Sequence, residues 1–110
     1  MERFTQRQLE HQRQILSAIL NRPAVAWRRV KGQNVASIGA IVFDIAYGGY
    51  RVAEIVSAGG GERDLFHGYR MSTRECYYCL RSAVEAVRLA IGEKRYQAGV
   101  ARWNKQQGNG

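Results

Sequence analysis

Two hydrophobic periods divide the chain. Leu9, Ile15, Leu16, Ile19 and Leu20 fall on one stripe of a 3.6-residue helix, and Thr5 with Gln8 has capping-box spacing ahead of them. A helix is therefore expected from Thr5 to the interruption at Asn21-Arg22-Pro23. The stripe resumes at Ala24, Trp27 and Val30 and meets Gly32, a stop signal, which predicts a second short helix. Residues 25–31 also suit a strand.

The period then shortens to two. Residues 41–47 and 50–56 are rich in β-branched and aromatic side chains and flank Gly48-Gly49. A two-residue glycine loop is a hairpin signal, because both loop positions need positive φ. The implied pairs are Tyr47 with Tyr50, Ile45 with Val52, Phe43 with Glu54 and Ile41 with Val56, an apolar face to set against helices. One helix over residues 35–58, within an all-α fold, is the alternative. Its two interior glycines would cost about 2 kcal/mol, so the hairpin is preferred. After Gly59-Gly60-Gly61, residues 63–71 predict a third strand that alternates Leu65, His67, Tyr69 and Met71 against Asp64, Phe66, Gly68 and Arg70. Ser72 with Glu75 is a second capping box. Tyr77, Leu80, Val84, Val87 and Ile91 then mark a long helix, extended past Gly92 by Tyr96, Val100 and Trp103 either continuously or after a break.

The expected architecture is α+β: helix, short helix, three-stranded antiparallel meander, long helix. It forms one domain over residues 1–105, followed by a disordered polar tail at 106–110. This order of elements is similar to that of the double-stranded-RNA-binding domain, and more loosely to the small arm-type DNA-binding domains of recombinases. The resemblance is one of topology. The RNA-binding family opens its last helix with lysines followed by alanines, whereas this chain has Ser72-Thr-Arg-Glu-Cys-Tyr-Tyr-Cys79 there.

Composition narrows the function classes. No apolar run approaches the roughly 18 residues of a membrane span, and the first residues carry no leader-like apolar segment. Two cysteines exclude a disulfide scaffold, and a reducing, cytoplasmic location is expected. The net charge is +8. It divides into +5 over residues 1–33 (seven cations, two acids), −1 over 34–71 (three cations, four acids) and +4 over 72–110 (seven cations, three acids). Arginine outnumbers lysine 14 to three. Its planar fork suits bidentate contact with phosphate or carboxylate, so an anionic partner is expected.

Arg74, Arg81, Arg88, Arg95 and Arg102 recur every seven residues. On a continuous helix they would form a stripe of roughly 42 Å at about 1.5 Å per residue, able to track a phosphate backbone or an acidic helix. The same positions also suit a structural role covering the core edge. Arg28, Arg29 and Lys31 stand beside Trp27, the combination of cations and a stacking aromatic that nucleic-acid sites use. Val42, Ile55 and Phe66 are expected on the sheet face away from the long helices, a flat apolar surface for a protein partner or a homodimer.

Catalytic signals are few. Cys76-Tyr77-Tyr78-Cys79 lies inside the helix, past its N-terminal thiolate position, and lacks further zinc ligands at signature spacing. The triple glycine is not followed by Lys-Ser/Thr, so it is no phosphate loop. A small ribonuclease using His67 with Tyr69 or Arg70 is the one catalytic alternative. The expectation is a non-enzymatic nucleic-acid-binding or nucleoprotein-associated domain without cofactor or metal, contacting its target through arginine-rich helices. The alternative is a small protein-binding regulator or inhibitor of a larger complex. Compact phage and plasmid proteins that inhibit host defence nucleoproteins resemble it in size.

Overall fold

The computed structural model describes residues 4–66 and 68–107. Helix α1 (Gln6–Ile19) begins with the predicted capping box. It ends in a Schellman motif: Asn21 takes φ 56°, its N–H donates to the Ala18 carbonyl, and the Arg22 N–H donates to that of Ser17 at 2.7 Å. Helix α2 (Thr73–Ile91) opens with the second capping box, at Ser72 and Glu75. Gly92, at φ 89° and ψ 158°, breaks the helical path, and α3 (Glu93–Gln106) follows at once. Gln106 thus belongs to α3, one residue into the expected tail, and residues 108–110 lie outside the described residues.

Five strands separate α1 from α2. The first two are β1 (Trp27–Val30) and β2 (Gln33–Ala36), an antiparallel hairpin of its own where the stripe predicted a short helix. The reason is the loop. Lys31 and Gly32 have φ 50° and 79°, and two central residues with positive φ make the type I′ turn that twists with its strands.

β3 (Ile41–Ala46), β4 (Gly49–Ile55) and β5 (Glu62–Asp64) form the antiparallel sheet, in that spatial order. The register differs from the expected one by two residues: Ile45 pairs with Tyr50, Phe43 with Val52 and Ile41 with Glu54. A two-residue shift keeps every side chain on its expected face. Gly49 is drawn into the strand because the 71 segment passes there. A Cβ at position 49 would lie 2.2 Å from the Met71 carbonyl oxygen. Tyr47-Gly48 is left as the loop, with Tyr47 fully exposed.

The third strand is shorter than expected. Among the described residues, β5 pairs at Ala53–Asp64, Glu54–Arg63 and Ile55–Glu62, and the chain returns to β4 at a Tyr50–Met71 bridge. Between these, Leu65 and Phe66 both pack against the core, so strict alternation ends there. His67 lies outside the described residues.

The main core joins Leu9, Ile15, Leu16 and Ile19 of α1 to Cys76, Leu80 and Val84 of α2, Ile41 and Val52 of the sheet, and Met71. Helix α3 lies on α1, where Gly99 permits near-backbone contact: a Cβ there would be 2.8 Å from Ile19 Cα. On the other sheet face, Ile55 clusters with Ala36 and Ala40, backed by Ala26 and Val42.

Candidate nucleic-acid interface

The eight cations singled out by the sequence fall into two groups. In the helical group, Arg81 pairs with Glu85 at 2.7 Å and Arg88 with Glu93 at 2.6 Å. The Arg88 guanidinium also lies 4.2 Å from the Tyr96 ring centroid, and Arg74 lies 5.8 Å from that of Tyr78. Arg102 donates to the Ala18 carbonyl at 2.8 Å, tying α3 to the end of α1. Arg95 alone of the five has no such tie among the described residues. The break at Gly92 separates Arg95 and Arg102 from the other three, so the continuous stripe is not formed. The Arg88 contact, with a second hydrogen bond from Gln97, lowers the Glu93 carboxyl to about 2.

The second group is the hairpin. Arg28, Arg29 and Lys31 are exposed, and none meets an acid among the described residues. The chain has no acid between Glu10 and Asp44, so none is near in sequence either. β1 and β2 pack chiefly on each other, and join the body at their base. There the Ala36 N–H donates to the Ala58 carbonyl and the Ser37 N–H to that of Ala26. Trp27 is 52 % exposed and rests on Gly60, where a Cβ would be 3.0 Å from the ring. The cross-strand pairs are Trp27–Ala36, Arg28–Val35, Arg29–Asn34 and Val30–Gln33. Gln33 and Asn34 therefore join the basic cluster. Gly32 taken as a helix stop hides them; Lys31-Gly32 between Val30 and Val35 is the turn signal that marks them.

Among the described residues, Val42, Ile55 and Phe66 do not share one exposed face. Ile55 is 3 % exposed, buried with Ala36 under the foot of the hairpin, and Val42 packs there too. Phe66 packs on the opposite, helix-side core. Further along the same face stands a charge cluster. Arg51 lies 2.8 Å from both Asp44 Oδ2 and Asp64 Oδ1, although its Nε has no well-directed hydrogen bond. Arg70 joins through the Asp44 carbonyl at 2.8 Å and its carboxylate at 3.2 Å. On the helix side, Glu54 is 5 % exposed and is held by Arg22 at 2.9 Å and by Arg63. A buried carboxylate needs such partners.

Cys76 is fully buried and both thiols are free. Burial, reinforced by neighbouring Cys79, pushes the Cys76 thiol up to about 11, which opposes thiolate chemistry. Among the described residues no three His, Cys, Asp or Glu side chains converge as a metal site would need. His11 stacks edge-on against Trp103 at 4.8 Å. No helix among the described residues is long and apolar enough to cross a membrane.

No protein-family model, curated protein or solved structure matches this chain.

Proposed function

We propose that the protein is a non-enzymatic nucleic-acid-binding domain whose contact surface is the β1–β2 hairpin, with the arginine-rich helices serving mainly as scaffold. One observation carries this reading: Arg28, Arg29 and Lys31 occupy an exposed ribbon with no acidic partner among the described residues, while four of the five stripe arginines are engaged within the fold. Clustered, solvated cations gain most from an external polyanion, because phosphates release their counterions on contact. The free thiols suit a reducing compartment, and we place the protein in the cytoplasm. Fluorescence anisotropy with mixed-sequence DNA and RNA tests the reading. Binding is expected at about 50 mM salt and should fall steeply by about 200 mM. Absence of binding to either polymer at the lower salt refutes it.

A second reading has one observation in its favour. An open groove of about 700 Å³ runs beside α2, with Phe66, Met71, Tyr78, Cys79 and Ala83 forming an apolar floor and Arg74, Glu75 and Ser82 a polar edge, and suits an amphipathic segment of a protein partner. In this reading the domain regulates or inhibits a larger complex. A stoichiometric protein copurifying after nuclease treatment, and lost on Ala83→Glu, would favour it over the first.

A further inference from the structure

We propose that the β1–β2 hairpin enters the major groove of double-stranded DNA, with Arg28 and Gln33 meeting base edges and Arg29 and Lys31 the flanking phosphates. The inference deepens the nucleic-acid reading and rests on it.

Shape is the first argument. Two paired strands of four residues make a ribbon about 13 Å long, at roughly 3.3 Å per residue. The B-form major groove is about 12 Å wide and 8.5 Å deep and admits a two-stranded ribbon. The major groove of A-form RNA is too narrow for side chains to read. Single-strand binders instead line a groove with several stacking aromatics. This hairpin has only Trp27, whose ring is seated on Gly60.

Chemistry follows the pairing. Residues opposite each other in an antiparallel ladder share a face, so Trp27, Arg29, Asn34 and Ala36 lie on one side, and Arg28, Val30, Gln33 and Val35 on the other. Ala36 is buried and Trp27 rests on the body, which makes theirs the inner face. The outer face thus presents arginine, glutamine and the half-exposed methyls of Val30. Arginine is the residue for guanine O6 and N7, glutamine for adenine N6 and N7, and methyl groups meet the thymine methyl. Arg28 and Gln33 are diagonal neighbours, about 7–8 Å apart at the backbone, which spans roughly two base-pair steps of 3.4 Å.

The turn supplies an independent observation. Lys31 holds φ 50°, a conformation that β-branched and long side chains avoid and that asparagine adopts readily. A lysine at the tip of a type I′ turn keeps a cation there at a conformational cost, as functional positions do.

The test uses the full chain with one mixed-sequence 20-base-pair DNA duplex, the same sequence as duplex RNA, and one DNA strand alone. In anisotropy titrations at about 50 mM salt, the DNA duplex should bind at least about tenfold tighter than either other probe, a difference of one good base-edge contact. Dimethyl sulfate footprinting of the bound duplex should protect guanine N7 in the major groove and leave adenine N3 in the minor groove reactive. Arg28→Ala should weaken guanine N7 protection, and Gln33→Ala should weaken duplex affinity, each at unchanged melting temperature. Lys31→Asn, which suits the turn and keeps the fold, should lower the log–log salt slope by about 0.9. Equal affinity for duplex RNA, protection of adenine N3, or binding without N7 protection each overturns the groove assignment while leaving the nucleic-acid reading standing. No binding to any of the three probes overturns both, and an acidic protein surface becomes the partner that the hairpin charge fits.

Discussion

The arginine stripe and the β1–β2 hairpin carry similar charge but differ in how it is held. Along α2 and α3, guanidiniums lie on carboxylates, on aromatic rings or on a helix-end carbonyl. On the hairpin, cations of the same kind have no such partner among the described residues, and the nearest acids in sequence are Glu10 and Asp44. An intramolecular partner lowers what a cation can gain from an external anion, because that contact must be exchanged. Regular spacing is therefore a weaker sign of a binding surface than the absence of acids around a short basic run.

The sharpest way to break this comparison is to neutralise each region in turn. Arg28→Gln, Arg29→Gln and Lys31→Gln together should weaken DNA binding by more than about tenfold and lower the salt slope by roughly 1.8, at about 0.9 for each of the two phosphate contacts assigned to Arg29 and Lys31. Both are read by anisotropy across a salt series, with the thermal melt unchanged.

Next in size come changes that damage the scaffold but spare the hairpin. Gly99→Ala forces a methyl toward Ile19 Cα. It should cost about 1–3 kcal/mol in urea unfolding, as overpacking does, with DNA affinity retained. Loss of affinity in a folded Gly99→Ala protein would show that α3 takes part in contact.

Cys76→Ala should cost about 1 kcal/mol through the small cavity it leaves. It should also change the alkaline stability profile. The folded protein holds the Cys76 proton more tightly than the ordinary thiol value of 9.0 implies. The stabilisation is complete below that value and is lost as pH rises through about 11. The variant should lack this part of the decline, as measured by melting temperature against pH.

The smallest effects belong to the stripe. Arg81→Gln, Arg88→Gln and Arg95→Gln combined should leave the salt slope unchanged and the melting temperature within about 3 °C. A slope that falls with this variant and not with the hairpin variant would reverse the assignment of the two regions. Within it, Arg88→Gln should raise the Glu93 carboxyl from about 2 toward its ordinary 4.5, a shift that NMR titration of the side chain reads directly. Because Glu93 is lowered in the folded state, its small contribution is present above 4.5 and fades as pH falls through about 2.

Legibility in the sequence followed how local the controlling interaction was. Thr5–Gln8 and Ser72–Glu75 fix both helix starts within one turn, and both were readable. The α+β class and the β3–β4 hairpin followed from period-two runs around glycines. The register did not, because Gly49 serves a chain segment more than 20 residues away, and no local rule places Met71 against it. At the first hairpin Ala24, Trp27 and Val30 satisfy a helical spacing by coincidence, so the pattern suits both a short helix and a strand over residues 25–31, and the strand is the one formed. The positive φ of Lys31 and Gly32 decides for the strand. Burial of Ile55 and Val42 was hidden by the same coincidence, as the element that covers them was expected to be a helix. The candidate cations Arg28, Arg29 and Lys31 are legible as a local basic run beside Trp27. Which cations stay unpartnered depends on tertiary neighbours such as Ala18 for Arg102.

The seam between α1 and α3 bears on the order in which the chain can become structured. Gly99 meets Ile19, Arg102 reaches the Ala18 carbonyl, and the Trp103 indole N–H donates to Gln14 at 2.9 Å. Each contact joins residues 80 or more positions apart, Ile19 to Gly99 being the nearest pair. During synthesis α1 emerges first, yet this flank of it has no cover until residues 99–103 have left the ribosome. At about 5–20 residues per second that is a wait of several seconds. Over that interval this flank of α1, with Gln14, Ala18 and Ile19 on it, stays open to solvent, so the docking of α3 comes late in the order of assembly.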